Sequence, residues 1–509
     1  MNYRLILISV LSVVFSGNWK AYGQVHNPEL SSGRKLTWAF ESLPSIIDFD
    51  SITAPLKVLP QNPNYFTDGS GKAVYLTGSH TWNTLQDWGT NDSIRPLDFN
   101  DFIEFLLLHH HNFTLLWTTE LPVFRNLPTT KDSPPDFNVT PFPWERTGPG
   151  LASDGKPKFD LTKFNQAYFD RLRDRVSKLR NAGVYAGVYL FSGEWILRFR
   201  FPGDGYPFTG GNNINGIDDG GAMGSVTMTS PSEITAVQDD YAEKVINTLN
   251  DLPNVLWIVS QEAPYESVWW NKHLISKVKE YESGKKFQHP VGFGWVDHDL
   301  KDSIIINSDA DWIAPMSRIS PEKTIGTGNP SRKVNINDSD HSYWEIWNET
   351  PLQNRNYFWI NFTQGNQTLF MDPYLLYYPR QNRNLPGSPL HGVGTKTDTR
   401  WENVRNTMGY IRDFAGRMDL AAMTPQGILS STGHVLANRV SPHAELLVYS
   451  PSDGSFSVDL RNLKCKFEVQ WMNPSDGTLI LVRNVKGGGL RTFTPPFRDD
   501  AVLYLKQIK

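Results

Sequence analysis

Short apolar runs alternate with segments of helical period along most of this chain. Residues 74–78 (VYLTG), 113–117 (FTLLW), 184–190 (VYAGVYL) and 255–259 (VLWIV) read as buried strands. Weaker strand candidates follow at 290–293, 312–314, 334–336 and 368–371. Helical patterns fill 98–109, 164–182, a segment ending at Leu249, and 401–417. The third of these starts on Ser230-Pro231-Ser232-Glu233, where Ser230 can cap, Pro231 suits the first helical position and Glu233 completes a capping box. Eight strand candidates with helical crossovers within about 350 residues predict an α/β fold, a (β/α)8 TIM barrel. A doubly wound open sheet is disfavoured, because no glycine-rich phosphate loop follows the first strand. The Gly- and Asn-rich stretch 203–224 reads as a long loop after the third strand, on the barrel's catalytic face.

From about residue 422 the texture changes. Short β-type runs at 445–449, 455–460, 465–471, 479–482 and 501–505 are divided by turns such as Pro451-Ser452-Asp453-Gly454 and Pro474-Ser475-Asp476-Gly477. That spacing predicts a small antiparallel β-sandwich. The expected organisation is a leader over 1–23, a catalytic barrel over 24–421 and the sandwich over 422–509.

Composition changes this picture in four places. The leader has Arg4 before an apolar run over 5–15 and a small-residue site, Ala21-Tyr22-Gly23, before Gln24, as in a secretory signal peptide. Export to a bacterial periplasm or the extracellular space is therefore expected. The run is too short to span a bilayer, and no later stretch is long enough. A single cysteine, Cys465, excludes a disulfide-stapled scaffold. The formal charge of -4 gives no nucleic-acid footprint. The chain also carries 17 Trp and 19 Tyr, more aromatic surface than core packing alone invites, and aromatic faces stack on sugar rings.

Glycoside cleavage needs a proton for the leaving oxygen and a second carboxylate at the anomeric carbon. In a barrel both belong at the C-terminal ends of strands. Glu262, just past the strongly apolar fourth strand, is the candidate general acid. For the second role the seventh strand ends on Asp338-Ser339-Asp340-His341. Asp340, beside His341 and shortly before Trp344, is the first choice as nucleophile, and Asp338 is its close rival. Other strand ends supply candidate substrate contacts: His80 and Trp82, Glu120, Glu194 and Trp195, Gln261, His341 and Trp344, then Asp372 and Tyr374. The run His109-His110-His111 falls at the opposite end of the barrel and reads as capping and surface. No spaced zinc set such as HExxH occurs, so neither a metal nor another cofactor is expected.

The phrase 63–72 (PNYFTDGSGK) followed by 74–82 (VYLTGSHTW) resembles the opening of apiosidase-like glycoside hydrolases. The resemblance implies a (β/α)8 catalytic barrel, with 254–262 as the acid/base segment and retention of anomeric configuration. Here Gln261-Glu262 stands where the related pattern has Asn-Glu, and Asp338-Ser339-Asp340-His341 replaces a Gly-Glu-Pro setting. The tail, with Met423-Thr424-Pro425, Trp471-Met472-Asn473-Pro474 and 493–497 (FTPPF), is similar to the collagen-binding-type domain that accompanies such barrels. The sequence thus predicts a glycoside hydrolase acting on a plant or algal poly- or oligosaccharide. A noncatalytic carbohydrate-binding or adhesion protein is the alternative.

Overall fold

The computed structural model describes residues 35–36, 52–90, 93–124, 137–221, 223–227, 232–295, 302–315, 333–339, 350–375 and 399–508. Eight parallel strands form the barrel: β1 (Thr77–His80), β2 (Phe113–Leu116), β3 (Tyr185–Tyr189), β4 (Val255–Ile258), β5 (Val291–Gly294), β6 (Trp312–Ala314), β7 (Val334–Asp338) and β8 (Gln367–Met371). Their order is β1-β8-β7-β6-β5-β4-β3-β2. All eight strand candidates are present. The first lies later than its apolar run suggested, because Val74 bridges Phe66 instead and leaves Thr77 to begin the barrel strand.

The crossover helices are α1 (Phe99–Leu108), α2 (Gln166–Asn181), α3 (Ser232–Leu249), α4 (Val268–Glu282), α5 (Asp302–Ile306), α6 (Pro351–Thr363) and α7 (Thr399–Arg417). Asp98 caps α1 by accepting from Asn100 N and Asp101 N. Asn165 caps α2, so Phe164 lies outside that helix and pairs with Trp144 in a hairpin. Thr350 and Gln353 form a capping box on α6, with Pro351 in its first turn. The cap expected for α3 at Ser230 and Pro231 lies outside the described residues.

Alternation along the strands divides the apolar side chains into two layers. Leu115, Trp117, Tyr185, Tyr189, Leu256 and Ile258 belong to one buried cluster, which fills the barrel. Leu116, Ala186, Val188, Val255 and Trp257 belong to another, which meets α1 to α4. Burial on both faces is why these strands read as continuous apolar runs.

No continuous ladder joins β1 to β2; one backbone hydrogen bond, from Asn112 N to Thr77 O at 3.0 Å, and polar side chains close that seam. Thr77 N donates to Asn112 Oδ1 at 3.0 Å, Ser79 N to His111 Nδ1 at 3.2 Å, and Thr114 Oγ1 to Ser79 O at 2.9 Å. The histidine run is therefore only partly what its position suggested. His109 does cap α1, and His110 is exposed, but His109 and His111 are 3% and 1% exposed and belong to the interior.

The C-terminal end of the barrel strands is built up with β-structure that the apolar pattern did not reveal. Ser93–Arg95, Asp87–Thr90, Phe137–Thr140 and Val123–Phe124 form a four-stranded sheet from the first two strand-to-helix loops. The Gly- and Asn-rich loop does follow β3, and it is tied down. Arg200 pairs with Asp204 at 2.6 Å, and Asn213 Nδ2 donates to three backbone carbonyls.

The tail contains β9 (Thr424–Pro425), β10 (Val435–Asn438), β11 (Glu445–Ser450), β12 (Phe456–Asp459), β13 (Lys466–Met472), β14 (Leu479–Lys486), β15 (Leu490–Phe493) and β16 (Ala501–Ile508). The main antiparallel sheet runs β14-β13-β16-β11-β10-β9, with Lys35–Leu36 added at the β14 edge, and β12 pairs with β15. These sheets form a small β-sandwich. One face of the main sheet, with Leu446, Val448, Leu503 and Leu505, packs inside the sandwich. The other, with Leu447, Tyr449, Val502 and Tyr504, joins the core shared with α6 and α7. Among the described residues no helix is long and apolar enough to cross a membrane.

Candidate active site

The upper layer of the barrel interior is aromatic and polar. Trp117, one residue beyond β2, stacks on Tyr189 at the end of β3, with centroids 4.3 Å apart and planes at 19°. Trp117 Nε1 donates to His80 Nδ1 at 2.9 Å. An indole N–H can only donate, so Nδ1 must accept, and the proton of the neutral imidazole sits on Nε2. That nitrogen lies 2.8 Å from Asp338 Oδ2, the last residue of β7. His80 is fully buried and Asp338 is 4% exposed, so the imidazole and one carboxylate of the seventh strand face each other out of water. The Tyr357 hydroxyl adds a hydrogen bond to Asp338 O at 2.9 Å.

The β4 side brings the next groups. Tyr189 OH donates to Gln261 Oε1 at 3.1 Å. Gln261 is followed by Glu262, which is 5% exposed and holds φ at 51°. The left-handed region is uncommon for residues other than glycine. Glu262 N donates to Trp295 O at 2.8 Å, which fixes the strained residue from the β5 side. The Tyr189 hydroxyl feels the charge of these groups. Its pKa is pushed well above the ordinary tyrosine value by burial, and then by the negative charges of Asp338, Glu262 and Glu194. Carboxylates from the ends of β3, β4 and β7 therefore all act on one buried phenol. The same shift keeps Tyr189 a hydrogen-bond donor.

Glu120, beyond β2, points toward the β3 end. Its Oε1 accepts from Ser192 N at 2.6 Å and Gly193 N at 3.1 Å. Its Oε2 is buried with no hydrogen-bond partner among the described residues. Burial pushes its pKa up to about 7, against the two amide donors.

The remaining predicted site residues are placed as follows. Glu194 opens the short helix Glu194–Arg198, and Trp82 is partly buried against Trp88 with centroids 5.8 Å apart. Asp372 and Tyr374 are not brought to the cluster. Arg405 holds both oxygens of Asp372, at 2.6 and 2.9 Å, and Ser79 Oγ donates to one of them at 2.8 Å. Tyr374 packs against Phe102 and Phe105 and donates its hydroxyl proton to Asp101. Asp340, His341, Trp344 and the Trp195 side chain lie outside the described residues. Trp117 and Tyr189 were not anticipated as site residues. The available signal was an aromatic residue at the end of each apolar run, where the same strand-end rule applied. Among the described residues no group of three His, Cys, Asp or Glu side chains could hold a metal ion.

Residues 426–506 match the family model described as "Putative collagen-binding domain of a collagenase". No curated protein matches the chain. Among solved structures, one described as a glycoside hydrolase is 13% identical with a TM-score of 0.58, covering 89% of this chain and 97% of its own. A glycoside hydrolase family 5 protein from Bacteroides vulgatus is 13% identical with a TM-score of 0.59, covering 89% of this chain and 94% of its own. At this identity the likeness is one of architecture: a glycoside-hydrolase-like (β/α)8 barrel followed by a collagen-binding-type domain.

Proposed function

We propose that this protein is an exported retaining glycoside hydrolase that acts on side chains of plant or algal polysaccharides. The observation that carries the reading is the chain of contacts between the C-terminal ends of β7 and β4: Asp338 lies 2.8 Å from His80, Trp117 bonds His80 and stacks on Tyr189, and Tyr189 OH bonds Gln261 beside Glu262. Glu262 protonates the glycosidic oxygen as the bond to the leaving sugar breaks, while an aspartate of the seventh strand attacks the anomeric carbon. Glu262 then takes a proton from water, which releases the sugar from that aspartate. Of the two aspartates, Asp338 is favoured as nucleophile, because its carboxylate lies 2.8 Å from the buried His80 Nε2. Asp340 is the alternative. Gln261, steadied by Tyr189, is suited to hold a substrate hydroxyl beside the acid. Retention and the apiosidase-like substrate range rest on the resemblance of 63–82 and 254–262. The leader at 1–23 supports export, with mature protein from its host expected to begin at Gln24.

The test is sugar release by wild type, E262Q, D338N and D340N across a panel of plant and algal polysaccharides. Loss of about 10²–10⁴-fold in E262Q is expected for a missing general acid, with D338N at least as impaired and D340N largely active. NMR of the first-formed anomer is expected to show retained configuration. Activity lost in D340N and kept in D338N would move the nucleophile to Asp340. No release from any substrate, with binding unchanged in all variants, would sink the hydrolase reading in favour of a carbohydrate-binding protein.

A further inference from the structure

The corner formed by Ser192, Gly193 and Glu194 joins the top of β3 to the segment that carries Glu262. Gln261 N donates to Ser192 O at 2.9 Å, Glu194 N donates to Gln261 O at 3.2 Å, and Gly193 and Gln261 form a parallel bridge. Gly193 holds φ at 75°, and a Cβ built there would stand 2.6 Å from the Ala263 Cβ. The corner is thus in direct contact with the residues on both sides of Glu262. Its own position is fixed from β2, because Ser192 N and Gly193 N both donate to Glu120 Oε1.

We propose that Glu120 is a positioning residue: by gripping the Ser192 and Gly193 amides, it sets where the Gln261–Glu262 segment holds the acid/base carboxylate, and it does not touch the sugar. The inference rests on the reading of Glu262 as acid/base. The hydrogen bonds of Glu120 Oε1 agree with it, since that oxygen is engaged by both corner amides. Either protonation state of Glu120 can accept the two amide hydrogen bonds through Oε1, and so can a glutamine. An alanine cannot, and an aspartate is a methylene too short.

The test compares E120A and E120Q with wild type, and substitutes E120D if E120A is poorly soluble. Amide hydrogen exchange is followed over 191–194 and 260–263, alongside turnover of an unactivated oligosaccharide and of a dinitrophenyl glycoside whose leaving group needs no proton. E120A is expected to exchange roughly tenfold faster in both segments, as loss of one or two hydrogen bonds implies, while E120Q stays near wild type. On the oligosaccharide, kcat in E120A is expected to fall about 10–100-fold through misplacement of the acid, with KM little changed. The dinitrophenyl glycoside should be far less affected, and E120Q should restore both rates. Equal losses in E120Q and E262Q would make Glu120 a reacting group and overturn the proposal. Unchanged exchange over 260–263 in E120A would overturn it as well, whatever the turnover. Wild type that turns over neither substrate would defeat the hydrolase reading, while the exchange data would still decide whether Glu120 positions this segment.

Discussion

A glutamate in the left-handed region is held there against a backbone cost on the order of 1–3 kcal/mol, and Glu262 is in that state at φ 51°. Glycine adopts the same conformation without the clash of a Cβ. Glu262→Gly is therefore expected to unfold at a higher temperature than Glu262→Ala, although neither releases sugar, and calorimetry of the two variants checks this. The reverse order would show that the segment relaxes once the carboxylate is gone. Glu120 makes a second expectation at this scale, one that depends on pH. With its pKa raised to about 7, the folded protein keeps a proton that the unfolded chain releases from about 4.5 upward. Glu120's contribution to stability is thus fully present below about 4.5 and is lost as pH rises to about 7. The full span is on the order of 3 kcal/mol at most. Glu120→Gln removes this slope, so its stability relative to wild type should climb between pH 4.5 and 7 and level off above. A constant difference across that range would refute the raised pKa.

At the scale of elements, the seam between β1 and β2 is the least regular part of the barrel, and His111 is central to it. Ser79 N donates to its Nδ1, and its Nε2, the remaining ring nitrogen, faces Arg405 O at 3.1 Å. Those two contacts need the neutral ring, and burial, then the neighbouring His109, pushes the His111 pKa well below the ordinary histidine value. His111→Ala leaves a buried amide and a buried carbonyl unpaired, at about 1–3 kcal/mol each. A loss of about 2–5 kcal/mol in chemical denaturation is expected, and a change under 1 kcal/mol would show that the seam closes by other means. The same seam shows what the sequence could and could not convey. Eight strands were legible because parallel barrel strands are buried on both faces and stay apolar throughout. Glu262 and Asp338 were legible as candidates because they follow or end such runs. His111 was not, since a helix end followed by a strand looks the same locally whether its histidines face solvent or a gap in a sheet. Trp117 and Tyr189 were hidden for the opposite reason: inside an apolar run, an aromatic at the rim of the site looks like core. Asp372 and Tyr374 share the strand-end position, and only the tertiary structure shows their side chains engaged by Arg405 and Asp101.

For the whole molecule, the question is whether the tail is an appended module or part of one folding unit. The continuous apolar runs of β11 and β16 already argue for the second, since a sandwich strand with one wet face would alternate. Their outer face meets the barrel: Trp359 of α6 stacks on Tyr449 with centroids 5.9 Å apart, and Phe414 of α7 meets Tyr504 edge-on at 5.8 Å. Trp359 is fully buried, so removing the tail would expose a tryptophan and its neighbours to water, about 1.5–3 kcal/mol for each large side chain. At the centre of this contact Asp500, 1% exposed, accepts from Arg355 at 2.9 and 3.2 Å and from the Tyr449 hydroxyl at 2.9 Å. Breaking a buried pair from one side leaves the other charge stranded, a cost of about 3–5 kcal/mol. Asp500→Ala is accordingly expected to lower the melting temperature of barrel and sandwich together, in one transition seen alike by tryptophan fluorescence and by residual activity. The double variant Arg355→Met/Asp500→Leu should recover most of that loss, because it strands no charge. A chain ending at residue 421 should aggregate instead of folding as a barrel. Two separate transitions in Asp500→Ala, or a truncated barrel that melts where the full chain does, would show that the tail is a passenger and that the shared core does not couple the domains.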